Sequence, residues 1–356
     1  MTSPLEGIKV VDASRILAGP WAGQQLADLG AEVIKIEPPG GDETRRWGPP
    51  WHGDWSTYFL SANRGKQFIE IDLKSEDGRT EFDELLSEAD VLIENAKPGG
   101  RERLGLDMKR TLKVNPRLIH LSITAYGLTG PKRDAPGYDL ALQADTGIMS
   151  ITGEPDREPA KVGVAWIDVM SGMMSVAAVL AALRLRDITG EGKHIDLALH
   201  DVAVTALVNQ AQGYLSAGAV PGPLGSGHPS LCPYRAFRAS DGWFVIAVGS
   251  DAQFERLAGL LSLPRRDQWV TNAGRVDNRE ALETAIAERV GTEERETWCE
   301  RLAKTGIPCA PVRTLDEVLE DPHITARGLI VEGDGELPAT PMLRSALATA
   351  GLGRNE

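Results

Sequence analysis

Over the first 125 residues the apolar positions change period several times. GIKVVDAS (7–14), EVIKIE (32–37), FIEIDL (68–73), DVLIEN (90–95) and LIHLSIT (118–124) are short β-branched runs bounded by turn residues. That pattern predicts strands. Between them, WAGQQLADLG (21–30), EDGRTEFDELLSEA (76–89) and MKRTLKVN (108–115) space their apolar residues as helices do. Strands alternating with helices predict an α/β fold with a doubly wound, mostly parallel, Rossmann-like sheet. Ligands of such a sheet bind in the loops beyond the carboxyl ends of its strands.

From Val169 to Leu183 the only polar side chains are Ser171 and Ser175. A segment apolar on nearly every face belongs in a core, and this run is shorter than the ~20 residues that cross a bilayer. It predicts a buried core helix with Asp168 at its head, where an aspartate caps free N–H groups and suits the helix dipole. DITGEGKHIDLALHDVA (187–203) then reads as a turn, a strand and the start of a helix. GAVPGPLGSGHPSL (218–231) is rich in Gly and Pro and marks a boundary, and its GSG at 225–227, beside His228, reads as a plain linker in preference to a mobile cover from the small domain. YRAFRASDGWFVIAVGS (234–250) resembles two strands joined by an Asp-Gly hairpin, followed by helical segments near 251–262 and 278–305. The expected organisation is a large domain of residues 1–200 plus about 320–356, a linker helix over 201–224, and a smaller α+β domain over 225–319.

Composition narrows the function. The 356 residues are 42% hydrophobic and 25% charged, with a net charge of −13. Such a charge disfavours nucleic acid and acidic membranes as partners. An anionic ligand then requires a local basic cluster. The amino terminus MTSPLEGIKVVDAS lacks a signal-peptide pattern. Cys232, Cys299 and Cys309 lack metal-site spacing and read as reduced thiols, and the six histidines are scattered. The expectation is a cytoplasmic protein without a metal.

The loops after the strands are distinctive. SRILAGPWAG follows the first, PPGGDETRRWGPPWHGDW the second and AKPGGRERLGLD the fourth. Arg15, Lys35, Arg45, Arg46, Arg101 and Arg103 therefore fall at or beyond strand ends, which fits a phosphate-bearing ligand as well as ordinary solvated arginines. Trp47, Trp51 and Trp55 share one loop, suited equally to covering a ligand and to packing. A dinucleotide site is disfavoured. Glu37 stands where a ribose contact would be, but the first turn reads GPWAG, with Gly19 and Gly23, instead of GxGxxG. A nicotinamide oxidoreductase stays an alternative only, and no flavin is expected.

Several stretches occur in one order: LAGPWAGQQLADLGAEVIKIEPPGGDETR, VLIENAKPGG leading to RERLGL, GYDLALQADTGIMSITGEP, KVGVAWIDVMSG, GKHIDLALHDVA and SDGWFVIAVGSD. Taken together they resemble the family III CoA-transferases, the CaiB/BaiF group that includes formyl-CoA transferase and carnitine CoA-transferase. The resemblance spans roughly residues 5 to 325. It implies that Asp168 is the catalytic aspartate. It also implies that CoA, a substrate here, is held around Leu17, Ala18 and Ile71 and by Asn95 and Arg103, with Tyr138 near the reacting end. Where the family often has a basic residue this chain has Pro38, for which Arg45 or Arg46 is a substitute.

The implied chemistry moves CoA from an acyl-CoA donor to a carboxylic acid acceptor through an aspartyl anhydride and an aspartyl-CoA thioester. An ionised Asp168 is required, which a helix N-terminus favours. The related α-methylacyl-CoA racemase resembles this chain too, but it carries a GHD histidine where this sequence has GYD. Tyr138, with an ordinary pKa of about 10, is a poor general base at neutral pH. A CoA-binding protein without turnover is the non-enzymatic alternative. The family further implies an interlocked homodimer, although the closing LPATPMLRSALATAGLGRNE lacks the LGEHT-like stretch usual there. The apolar Val162, Val164, Ile167 and Met170 around Asp168 suggest a pocket without an obvious cation for a second carboxylate.

Overall fold

A computed structural model describes residues 3–97 and 99–353. Six strands form the main sheet: β1 (Lys9–Asp12), β2 (Glu32–Glu37), β3 (Lys66–Glu70), β4 (Val91–Glu94), β5 (Ile119–Thr124) and β6 (Lys193–Ala198). All pair in parallel, in the order β3-β2-β1-β4-β5-β6. The order reverses between β1 and β4, and a crevice opens at such a reversal. Successive side chains of a strand point to opposite faces, so the β-branched runs feed two cores. Val10, Val33, Ile93 and Leu121 pack on one face with helix α1 (Ala18–Asp28), through Ala22 and Leu26. Val11, Ile36 and Leu92 pack on the other with α2 (Glu76–Glu88), through Phe82 and Leu86.

The short helices after β4 and β5 include α3 (Gly100–Arg103), α4 (Met108–Val114) and α5 (Asp139–Asp145). The apolar run becomes α6, Trp166–Thr189, a 24-residue helix that outlasts its apolar stretch. By length and composition alone it is long enough to cross a membrane. Its tail is carried by Arg186, which is buried and pairs with Asp90 at 2.9 Å. Ile167, Val176, Val179 and Leu183 line the core beside α1. The two helices approach closely at Gly172, where a Cβ would stand 2.9 Å from the Ala18 carbonyl oxygen and 2.7 Å from the Trp21 ring. The far side of α6 is open, with Met173, Met174, Leu185 and Ile188 exposed. After β6, the segment from Leu199 to Ala217 forms two helices, α7 (Leu199–Thr205) and α8 (Val208–Ala217), instead of one.

The chain divides into two compact units. Of the described residues, the first takes those up to Ile148, Lys161–Val220 and those from Pro322 to Gly353, including a two-stranded antiparallel sheet, β10 (Ile330–Glu332) with β11 (Pro341–Leu343). The second takes Met149–Ala160 and Pro221–Asp321. Its antiparallel sheet joins β7 (Tyr234–Arg238), β8 (Trp243–Ala247) and β9 (Cys309–Pro311), with the first two meeting across the Asp241-Gly242 turn. Phe237, Phe244, Ile246, Leu282, Ile286 and Trp298 form its core. The helical stretch near 278–305 breaks at Gly291 into α9 (Arg279–Val290) and α10 (Arg295–Lys304). The GSG segment is a tied turn: Gly225 N–H bonds the Gly153 carbonyl at 2.8 Å, and Ser226 Oγ accepts Ala236 N–H at 2.9 Å.

Candidate active site

A cleft of about 480 Å³ opens at the carboxyl edge of the main sheet, within the first unit. The loop after β1 supplies Arg15 to Ala18, the segment after β4 supplies Asn95 to Lys97, and the end of β5 supplies Ile123 and Thr124. Tyr138 and Asp168 face it from the starts of α5 and α6.

Buried charges fix the first of these loops. Lys35, on β2, donates to the Ser14 carbonyl at 2.8 Å and pairs with Asp42 at 3.1 Å. Asp42 in turn accepts the Ile16 N–H at 3.3 Å. Ile16 lies at φ +72°, a left-handed conformation costly for a β-branched residue, and these bonds hold it there. Asp12 pairs with Lys66 at 2.8 Å beneath the loop, and both side chains are fully buried. Burial pushes the Asp12 carboxyl up, but Lys66 and Lys35 more than offset it and hold it below the usual range. Burial brings Lys66 down to about 8.

Asp168 is half-buried at the third position of its helix. It does not cap the helix. Ala165 is the N-cap residue and has no side-chain oxygen, and the free N–H groups of Ile167 and Asp168 point to Asp139 Oδ1 at 2.7 and 3.4 Å. Nor is the carboxyl held low, as a helix terminus alone would favour. Burial, followed by the charge of Asp139, pushes the Asp168 carboxyl up to about 7. The Tyr58 phenol is raised to about 12 by burial and then by Asp168, Asp139 and Asp42.

Of the residues named from the sequence, Leu17, Ala18, Asn95, Tyr138 and Asp168 share this cleft. Asn95 reaches it as a clamp, its side chain bonding both the N–H and the carbonyl of Arg15. Tyr138 is 59% exposed. Three others lie outside the cleft lining. Arg45 binds Glu37 through Nε at 3.0 Å and Nη2 at 2.6 Å and lies 3.9 Å over the Phe59 ring. Ile71 is buried in the core on the α2 face of the sheet. Arg103 is exposed at the end of α3, with no side-chain ion pair among the described residues. Arg101 is buried against Glu94 at 2.6 Å.

Sequence reasoning missed several lining residues. Lys97 and Arg133 join Arg15 on the cleft wall, so cations are present after all. The apolar residues flanking Asp168 do not form its pocket: Ile167 is in the core, Val162 and Met170 pack against it, and Val164 is exposed. The tryptophan loop divides. Trp55 packs on a small core of Phe59, Leu60, Leu337 and Met342, while Trp47 meets Tyr58 edge-on at 5.0 Å. Asp139 had a signal, since it closes the GYD triplet and precedes Gln143 by one helical turn.

An open parallel α/β sheet whose crevice presents a carboxyl at the head of a core helix suits a carboxylate-nucleophile enzyme. The chain belongs to CoA-transferase family III, whose family model matches residues 5–352, and it is an acyl-CoA:carboxylate CoA-transferase using CoA thioesters as substrates. It is 43% identical to a succinate–glutarate CoA-transferase of Agrobacterium fabrum over 94% of this chain and 86% of that protein. It is 38% identical to a human succinyl-CoA:glutarate CoA-transferase over 92% of this chain and 76% of that one. Its fold matches the crystal structure of a CAIB/BAIF family protein from Brucella suis with a TM-score of 0.87 and 46% identity, covering 97% of this chain and 92% of that one.

Proposed function

We propose that this protein exchanges CoA between short dicarboxylic acids, with Asp168 as the covalent carrier. The observation that carries the reading is the position of Asp168: a half-buried carboxyl, raised to about 7, at the mouth of the cleft where the strand order reverses. The acid class rests on the two relatives named for succinate and glutarate.

In this scheme the Asp168 carboxylate attacks the donor thioester carbonyl, and the C–S bond breaks to give an aspartyl–acyl anhydride and CoA thiolate. The thiolate attacks the Asp168 carbonyl, forming an aspartyl-CoA thioester and releasing the donor acid as carboxylate. An acceptor carboxylate attacks that thioester and expels the thiolate. The thiolate then takes the acceptor acyl group, and Asp168 returns as carboxylate. Each step passes one negative charge between carboxylate and thiolate and needs no redox partner. Both intermediates are sensitive to water, so the walls around Asp168 must exclude it. CoA is assigned to Leu17, Ala18 and Asn95, with Tyr138 near the reacting carbonyl. Arg103 would act at the rim, and Arg15, Lys97 and Arg133 are the cations available for anionic groups. Arg45 and Ile71 act through the fold behind the site.

The interlocked homodimer is part of the same proposal. The exposed apolar side of α6, with Val208, Tyr214 and Leu215 on α8, is a surface that a second copy would cover. Light scattering of the active protein should give twice the chain mass; an active monomer contradicts the assembly.

The activity is tested by mixing succinyl-CoA with glutarate, with other dicarboxylates and with acetate, and following the acyl-CoA products by mass spectrometry. Transfer to dicarboxylates ahead of acetate is expected. No transfer to any carboxylate, or rapid α-deuteration of 2-methylacyl-CoA in D₂O, would overturn the reading in favour of binding alone or of the racemase.

A further inference from the structure

Asp139 has bonds that a solvent-facing aspartate at a helix start does not need. Its Oδ1 takes the Ile167 and Asp168 N–H groups at 2.7 and 3.4 Å, and its Oδ2 takes Gln143 Nε2 at 2.5 Å. Gln143 Oε1 then accepts the Val162 N–H at 2.9 Å. Asp139 and Gln143, both buried on α5, thus form a strut to the segment 162–168 that opens α6. We infer that Asp139 is the positioning residue of the reaction: one carboxylate caps the helix that presents Asp168 and holds a second negative charge beside it. The inference rests on Asp168 being the nucleophile.

The chemistry gives that charge a use. In the first step Asp168 gives up its negative charge to the CoA thiolate. A neighbouring carboxylate destabilises the charged starting state relative to the neutral anhydride and makes the nucleophile more basic. The cost is that less of Asp168 is ionised below neutral pH. Other groups stand around it: the Tyr58 and Tyr138 phenols, the cations Arg15, Lys97 and Arg133, and the acids Glu43 and Asp134 on the cleft wall. Burial and Asp139 are the two causes that act on Asp168 itself.

The test is the pH profile of kcat/KM in Asp139→Asn, Asp139→Ser, Asp139→Glu and Gln143→Leu, each shown to be folded by thermal melting. Asn and Ser keep an oxygen that can accept the helix N–H groups but remove the charge. Their acid limb should move about 1 unit to lower pH, and kcat above pH 8 should fall about tenfold. Asp139→Glu should keep the limb near that of the natural protein. Gln143→Leu should lower kcat/KM at every pH without moving the limb. A folded uncharged variant with an unmoved limb, or with an equal loss at every pH, overturns the inference. If neither uncharged variant folds, a limb in Asp139→Glu displaced to the position expected for the uncharged variants overturns it, and an unmoved one supports it. Hydroxylamine trapping with acyl-CoA separates the two claims. A label on Asp168 with an unmoved limb sinks the role of Asp139 alone, while a label elsewhere sinks the nucleophile.

Discussion

Asn95 grips the peptide backbone of Arg15 from both sides. Its Oδ1 accepts the Arg15 N–H at 2.9 Å, and its Nδ2 donates to the Arg15 carbonyl at 2.7 Å. Two strands that are neighbours in the sheet, β1 and β4, therefore have their outgoing loops joined at the floor of the cleft. Asn95→Ala removes both bonds and leaves two backbone groups to find water. The expected result is CoA affinity lowered about 5- to 20-fold by calorimetry, with a smaller change in kcat. Unchanged affinity would show that the clamp is irrelevant to binding.

Arg45 and Arg103 should behave oppositely on substitution. Arg45→Ala leaves the nearly buried Glu37 carboxylate without its bidentate partner and strips the cation from the Phe59 ring. A stability loss of about 2–4 kcal/mol in denaturant unfolding is expected. Arg103→Ala should unfold as the natural protein does while binding CoA about 10- to 100-fold more weakly. Equal stability of both variants would contradict the structural role of Arg45, and undiminished CoA affinity would remove Arg103 from the site.

The raised carboxyl of Asp168 makes a prediction about stability as well as rate. Its folded value of about 7 exceeds the ordinary 3.8, so the folded protein holds this proton more tightly than the unfolded chain does. That contribution is fully present below pH 3.8 and is lost as pH rises through 7. Asp168→Asn carries no such loss, so above pH 8 it should melt higher than the natural protein, by roughly 2–4 °C. In the natural protein kcat/KM should rise with pH through an acid limb near 7. A variant that melts lower at pH 8.5 would contradict the raised value.

Much of this frame is legible in the chain because parallel strands buried on both faces read as unbroken β-branched runs. VLIE and IHLSIT are of that kind, and each became a strand of the main sheet. Less legible is whatever depends on a partner far along the chain. The end of α6 was hidden because Arg186 is charged, yet it is buried through Asp90, 96 positions earlier. Arg45 resembled a free cation because nothing in its own loop reveals the bond to Glu37. The cap of α6 misled in the same way: an aspartate within the first turn is the local solution, whereas the structure uses Asp139 from a separate helix, 29 residues before Asp168. Tyr138 drew attention in the GYD triplet, while its neighbour makes the bonds.

The most direct test of the whole account is whether Asp168 becomes covalently modified during turnover. It is the only acidic residue between Glu158 and Asp187, so a label in the peptide from Val162 to Arg184 reports on it alone. Succinyl-CoA with hydroxylamine should convert Asp168 to its hydroxamate and stop activity, while hydroxylamine alone should do neither. Asp168→Asn, nearly isosteric and uncharged, should still bind CoA but lose at least about 10³-fold in transfer. A hydroxamate on another peptide, or near-normal transfer by the Asn variant, would contradict the assignment.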